Sequence, residues 1–397
     1  MSEAALLAPH DALGRTKEIL ATLVGFPTIS SEGNLDCIAY AHSLLAPLGA
    51  KLEVIPDATG RKANLLATIG PDVDGGVILS GHVDVVPVEG QDWSTDPFRL
   101  TEYAGRLYGR GACDMKGFVA CALAAAPAFA DARLARPVHI ALTHDEEVGC
   151  LGAPRLIAAM AALGRRPAAC IVGEPTGMAL VEGHKGCFEY TTHFEGLEGH
   201  GSRPDVCVNA VFYATRYVAE IMRLAGELRG RAPAGSRFDP PWSTLSVGRL
   251  DGGIARNVVP NRCAVEWEFR PVSRSDVDFV WQRLLDLAEG VLLPEMQEVH
   301  PEATIITEVI GEVAGLDPVP GSSAVALAAR LTGGDAGRAG VVPFGTEAGL
   351  FQAAGVPTVV CGPGDIAEAH RPDESIGEDD LAACLAALDR LVPELSA

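Results

Sequence analysis

Apolar residues recur along this chain with helical and strand-like periods, and the places where the period changes mark its elements. Residues 11 to 50 predict a helix, a loop at Gly25-Phe26-Pro27, and a second helix from about Asn34 to Leu48. Alternation predicts strands at Lys51 to Ile55 and Asn64 to Ile69. Short apolar runs predict buried strands at Val77 to Leu79, Val138 to Thr143, Ala169 to Val172 and Val356 to Cys361. A hairpin is expected at Tyr103 to Tyr108, followed by an alanine-rich, strongly helix-forming segment from about Phe118.

From about Gly183 the pattern changes. A strand with one solvated face at Phe188 to Phe194 precedes an amphipathic helix at Val211 to Leu228 and a linker rich in Gly, Pro and Arg from Gly230 to Pro241. Strands at Leu245 to Leu250 and Cys263 to Phe269, a helix at Asp276 to Leu287 and a strand at Thr304 to Val309 complete a split βαβ arrangement. The first pattern then resumes with helices at Ser322 to Leu331 and Asp379 to Leu391. The expected fold class is therefore α/β: a catalytic domain with a mixed, mostly parallel sheet flanked by helices, interrupted by an inserted α+β domain. The expected boundaries are 1–182, 183–311 for the insertion, and 312–397.

Composition narrows the choice of partners. The 397 residues are 48% hydrophobic and 21% charged, as in ordinary globular proteins. Acids outnumber Lys and Arg by 52 to 31, a formal net charge of -21 that repels nucleic acid and anionic membranes. Met1 to Lys17 lacks the basic start and apolar core of a secretion signal. The longest apolar stretch, Val119 to Ala130, is too short for a bilayer, contains Pro127, and predicts a buried helix. Ten cysteines without a Cys-x-x-Cys pair suggest core thiols in a reducing cytoplasm.

The candidate chemistry sits where the buried strands end. His82 and Asp84 follow the Val77 run, at the edge where open α/β sheets place their ligands. A histidine with a carboxylate two residues on suits a metal site, the carboxylate holding the second ring nitrogen, although a core histidine beside a turn aspartate is the plainer alternative. Asp114, among glycines just before the Phe118 helix, is either a ligand or an N-cap. Asp145-Glu146-Glu147 and Gly173-Glu174 end two further strands, and His370 follows the last. Adjacent carboxylates are also ordinary at a solvated helix start. Together His82, Asp114, Glu147, Glu174 and His370 offer only nitrogen and oxygen donors, suited to zinc, cobalt or manganese. Five ligands fit two ions bridged by a carboxylate and a hydroxide, and such ions lower the pKa of bound water from ~15.7 to roughly 7. Glu146, beside a ligand but not needed as one, is free to move the proton of that water.

Those segments carry a resemblance to a known family. Gly81-His82-Val83-Asp84-Val85-Val86-Pro87, Gly109 to Gly117 with Asp114 and Lys116, Asp145-Glu146-Glu147, Gly173-Glu174-Pro175-Thr176 and His370 resemble the dinuclear zinc peptidases and deacylases. That family includes acetylornithine deacetylase, succinyl-diaminopimelate desuccinylase and glutamate-type carboxypeptidases. The resemblance implies that Asp114 bridges the ions, that His82 and Glu174 complete one and Glu147 and His370 the other, that Asp84 orients His82, and that Glu146 is the general base. It implies two divalent ions, zinc first and cobalt or manganese as alternatives. It also implies an inserted domain that serves as a lid and homodimerises, with His200 reaching the partner's site as an oxyanion donor. Asn257, Arg270, Lys185, Thr346 and Glu347 match substrate-anchoring positions. Arg270 is alternatively a surface ion pair, and Glu347 an acid at a helix start. Gly345-Thr346-Glu347-Ala348-Gly349 is similar to the acetylornithine deacetylases, whereas Arg203-Pro204 departs from the expected small or apolar residues. The expected reaction is hydrolysis of an N-acyl amino acid, N2-acetyl-L-ornithine first, with another deacylase or dipeptidase of the family as the alternative and a non-catalytic metal-binding scaffold as the remote one. No nucleic-acid or membrane partner is expected.

Overall fold

The computed structural model describes residues 9–396. The part of the expectation for Met1 to Lys17 that falls on residues 1–8 therefore lies outside the described residues. Two compact units are present: one comprises the chain up to Gly183, Pro318–Val341 and Thr346 onward; the other comprises His184–Asp317 with Val342–Gly345.

The first unit is built on an eight-stranded sheet in the order Lys51–Pro56, Ala63–Ile69, Val138–Thr143, Val77–His82, Ala169–Pro175, Thr358–Gly362, Val181–His184, Gly340–Val342. Its four central strands, from Val138–Thr143 to Thr358–Gly362, run parallel. The pairs toward Lys51–Pro56 are antiparallel. Every residue of the strands Val77–His82, Val138–Thr143, Ala169–Pro175 and Thr358–Gly362 is buried, which is why they read as continuous apolar runs rather than alternating ones. Alternate positions, among them Leu79, Ile140, Ile171 and Val359, share one core with helices Pro9–Val24, Leu35–Leu45, Lys116–Asp131, Ser323–Thr332 and Glu378–Leu395. Helices Ala153–Ala162 and Ala348–Ala353 pack on each other and on the sheet's strands.

Helix Lys116–Asp131 is the expected buried one, enclosed from Lys116 to Ala126 despite Pro127 within it. It lies unusually close to the sheet. A Cβ on Gly173 would fall 2.0 Å from Cγ of Phe118, so only glycine lets that ring rest on the strand. The contact draws the helix start, and the loop before it, to the strand's end.

The second unit is a four-stranded antiparallel sheet in the order Thr244–Gly252, Arg262–Arg270, Cys187–Glu195, Thr304–Val313. Helices Ala210–Leu228 and Arg274–Leu287 cover one face through Phe188, Tyr190, Phe194, Tyr217, Trp267 and Phe269. The rings of Tyr190 and Trp267 are 4.5 Å apart. Strand, helix, strand, strand, helix, strand is the split βαβ order anticipated from the periodicity. All ten cysteines are free. Among the described residues no helix is long and apolar enough to cross a membrane.

Candidate metal centre

Four adjacent parallel strands deliver the candidate ligands at their C-terminal ends. His82 is the last residue of its strand, Glu146 and Glu147 follow Val138–Thr143, Glu174 lies near the end of Ala169–Pro175, and His370 follows Thr358–Gly362 in a loop. Asp114 comes from the loop before Lys116–Asp131 and stands between the two histidines. Its Oδ1 is 3.2 Å from His82 Nε2, and its Oδ2 is 3.2 Å from His370 Nε2. His370 Nε2 also lies 3.0 Å from Glu147 Oε2. His82 Nε2 is 3.9 Å from Glu174 Oε1 and 4.0 Å from Glu146 Oε2. The structure therefore brings all five candidate ligands and Glu146 together. Asp114 is not an N-cap: Met115 occupies that position, and no side chain caps the helix.

Asp84 acts differently from the expectation. His82 Nδ1 meets the main-chain carbonyl of Asp84 at 2.9 Å, whereas the carboxylate oxygen is 3.7 Å away. A carbonyl only accepts, so Nδ1 carries the proton, which is the tautomer that leaves Nε2 free to bind a cation. The carboxylate instead accepts from Ser30 Oγ at 2.7 Å and from the amides of Glu146 and Glu147 at 3.1 and 3.3 Å. Those loop amides have no strand partner, so a buried acceptor here fixes the turn that carries both glutamates. Asp145 adopts a left-handed backbone at φ 57° and pairs with Lys62 Nζ at 2.6 Å.

The electrostatics explain what the cluster needs. Burial, then repulsion from Asp114 and Glu146, raises the Glu174 carboxyl well above its usual range. Burial also raises Glu146 well above that range and raises Glu147. For Asp114 burial is outweighed by hydrogen bonds from His370 and His82, which hold it below its usual range. His370 is pushed up to about 10 by its hydrogen bonds to Asp114 and Glu147. Buried carboxylates packed so closely demand positive charge. Glu174 Oε1 is buried with no hydrogen-bond partner among the described residues. An orphaned carboxylate oxygen within an all nitrogen and oxygen donor set fits a hard or borderline divalent cation. The donor atoms of His82, Asp114 and Glu147, and those of His82, Glu146 and Glu174, lie within 4.8 Å of one another in each set.

The remaining candidates fall in two places. In the first unit Glu347 is buried, its oxygens accepting from Ser80 Oγ at 2.6 Å and Thr143 Oγ1 at 2.8 Å. Its carboxylate thus braces two strand ends instead of presenting itself to a ligand. Thr346 Oγ1 accepts from the Ala348 amide at 3.0 Å. In the second unit His200 pairs with Val258, and the Gly201 amide donates to Asn257 O at 2.8 Å, so His200 and Asn257 are neighbours. His200 is exposed, and its Nδ1 accepts from the Ser202 amide at 3.2 Å, which leaves Nε2 as the outward donor. Lys185 Nζ donates to Trp242 O at 3.0 Å, and Arg270 pairs with Glu268 at 3.0 Å.

Sequence reasoning missed the residues that hold the loops. Glu374 accepts from the amides of Gly111, Cys113 and Asp114 at 3.0, 2.9 and 3.0 Å and from Arg110 NH1 at 2.8 Å. The available signal was Arg110 itself, a charge set between two glycines where a simple turn needs none. Lys116 Nζ is buried, donating to Leu23 O at 3.0 Å and Phe26 O at 2.9 Å, and burial lowers its pKa to about 8. It ties the helix start to an earlier loop.

A histidine and carboxylate centre at the C-terminal edge of a mostly parallel sheet, with a further glutamate beside it, is the arrangement of a metal-dependent hydrolase. Residues 78–394 match the peptidase family M20/M25/M40. The chain is 37% identical over 387 residues to the acetylornithine deacetylase of Myxococcus xanthus, covering 96% of this chain and 98% of that one. Its fold is shared by an M20 family metallo-carboxypeptidase from Sulfolobus solfataricus, with TM-score 0.69, 18% identity, and 95% and 98% of the two chains covered. A dinuclear metal-binding M20 peptidase from Bacillus subtilis superposes with TM-score 0.67 at 18% identity, over 98% and 99% of the chains. The chain belongs to the peptidase family M20/M25/M40.

Proposed function

We propose that this enzyme removes the acyl group of an N-acyl amino acid, with N2-acetyl-L-ornithine as the substrate and L-ornithine and acetate as products. The carrying observation is Asp114, presenting one oxygen to each histidine at 3.2 Å, with Glu146 at the same edge. The ornithine assignment is supported by the 37% identity to a deacetylase of that name. In this reading His82, Asp114, Glu147, Glu174 and His370 would hold two divalent ions, zinc being the metal the donor set suits best. When bound, the ions supply a Lewis acid for the amide carbonyl and an activated water.

The side chains do the rest. Glu146 would take the attacking water's proton on its carboxylate and deliver it to the departing amine. Asp84 holds the Glu146 and Glu147 turn, and its carbonyl holds the His82 ring. His200 donates from Nε2 to the developing oxyanion across a homodimer. Two apolar side chains on Ala210–Leu228, Phe212 at 67% and Met222 at 69% exposed, are available to such a dimer contact. We place the enzyme in the cytoplasm, in arginine synthesis.

One observation favours a second reading, in which the substrate is another N-acyl amino acid. Glu347, the candidate contact for an ornithine ammonium, is engaged by Ser80 and Thr143. The test is hydrolysis of N2-acetyl-L-ornithine, N-acetyl-L-methionine and N-succinyl-diaminopimelate by the metal-loaded and chelated enzyme. A kcat/KM for acetylornithine at least about tenfold above the others, abolished by chelation, is expected; a different preference refutes the ornithine assignment and keeps the chemistry.

A further inference from the structure

We propose that Arg110, Glu374 and Gln91 form a clamp that sets the separation of Asp114 and His370, and so determines how tightly the His370 side of the centre holds a divalent ion. The inference rests on the ligand reading above and concerns residues that are not ligands in it.

Both ends of the clamp reach a proposed ligand or its neighbour. The Glu374 carboxylate takes four donors: the amides of Gly111, Cys113 and Asp114, and Arg110 NH1. It fixes the backbone of Asp114 from four residues beyond His370. Arg110 NH1 also reaches Arg371 O at 3.4 Å, and its NH2 donates to Pro87 O at 3.4 Å and Gln91 Oε1 at 2.5 Å. Gln91 Nε2 then donates to His370 O at 2.9 Å. The guanidinium lies 5.0 Å over the Trp93 ring, and Trp93 Nε1 donates to the same Gln91 oxygen at 3.1 Å. The loop that follows His82 and the loops carrying Asp114 and His370 are thus tied through one guanidinium.

His370 depends on such support. Its side chain is 50% exposed and its backbone is left-handed at φ 61°, so packing alone does not hold the ring. Ser94 adds a second tie, donating through its amide and hydroxyl to Asp373 at 2.8 and 2.7 Å. The Arg110–Glu374 pair, both side chains 1% exposed, contributes little net stability once desolvation is counted, which fits a role in geometry.

The experiment compares the full-length protein with Gln91→Ala, Glu374→Gln and, as a control, Leu388→Ala, a position in the helical core that makes no hydrogen bond to either loop. Each is stripped by chelator and titrated with Co²⁺, followed by visible absorbance, and with Zn²⁺ by competition. The native chain is expected to take two ions; Gln91→Ala and Glu374→Gln are expected to weaken the second by about 10- to 100-fold and to alter the Co²⁺ spectrum. Leu388→Ala should lower the melting temperature without changing either. Native affinity and spectrum in both clamp variants overturn the proposal, as does weakening no greater than that of Leu388→Ala at equal thermal loss. Should Glu374→Gln fail to fold, Gln91→Ala, at a half-buried side chain, decides alone. A native chain that takes fewer than two ions refutes the ligand reading itself, and the clamp with it.

Discussion

Substituting Gly173 by alanine tests whether the close approach of helix and sheet builds the centre. The new Cβ would meet Cγ, Cδ1 and Cδ2 of Phe118 at 2.0, 2.1 and 2.3 Å. Carbon atoms in contact settle at about 3.5–4.0 Å, so the ring must retreat by roughly 1.5 Å. Phe118 is 3% exposed and packed in the main core beside a cavity of only about 20 Å³, too small to take a ring, so its retreat must strain or move Lys116–Asp131. Overpacking of this kind costs about 1–3 kcal/mol. Phe118→Ala alone should cost about 3–5 kcal/mol through the cavity it leaves. In the double variant the added methyl enters space the ring has vacated, so the two costs should fall short of their sum by at least about 1 kcal/mol. Urea unfolding of the four proteins measures the cycle, and metal retained after dialysis reports the effect on Asp114 and Glu174. Gly173→Ala alone should lose metal, and the double variant should regain part of it. Additivity within about 0.5 kcal/mol would show that the ring and strand are not in contact, and the account of the loop's position would fall.

Glu146→Gln should lower kcat by about 10²- to 10⁴-fold with metal content unchanged by elemental analysis; a loss below tenfold would remove it as the proton carrier. Ser80→Ala should cost about 1–3 kcal/mol, because it leaves the buried Glu347 carboxylate one donor short; unfolding midpoints equal to the native protein's would contradict that bracing role. His139, beside Thr68 at 2.9 Å, is held down to about 4 by burial and then by Arg165. Its folded pKa lies below the unfolded 6.5, so its contribution is complete above 6.5 and fades as pH falls toward 4. Between pH 7.5 and 4.5 the native protein should lose about 2–3 kcal/mol more than His139→Gln, and equal losses would refute it.

How far the sequence reveals such a centre depends on what each residue spends its side chain on. The convergence of His82, Glu147 and Glu174 was legible because uniformly apolar strands leave a polar residue at the end no reason to be buried except a ligand, and such ends adjoin in a parallel sheet, whereas the half-exposed His370, in a loop beyond its strand, was legible from its motif. The helix and strand order of the second unit was legible for a similar reason, since its alternating strands and amphipathic helices each declare a buried face. Helix Ala153–Ala162 was not assigned, being a short run of small residues entered through Gly152 with Pro154 in its first turn. Asp84 shows a finer limit: its spacing from His82 suggested a carboxylate and imidazole pair, but the backbone carbonyl came nearer and the carboxylate met amides 62 and 63 residues away. Glu374 and Gln91 are less legible still, because the bonds by which they reach Asp114 and His370 are to main-chain groups, which any residue offers, at separations of 260 or more positions. Local periodicity carries no record of such a bond. A sequence therefore exposes the residues that would touch a metal more readily than those that fix the distances between them, and the side chains that bond to backbone around Asp114 are where the chemistry of this site is adjusted.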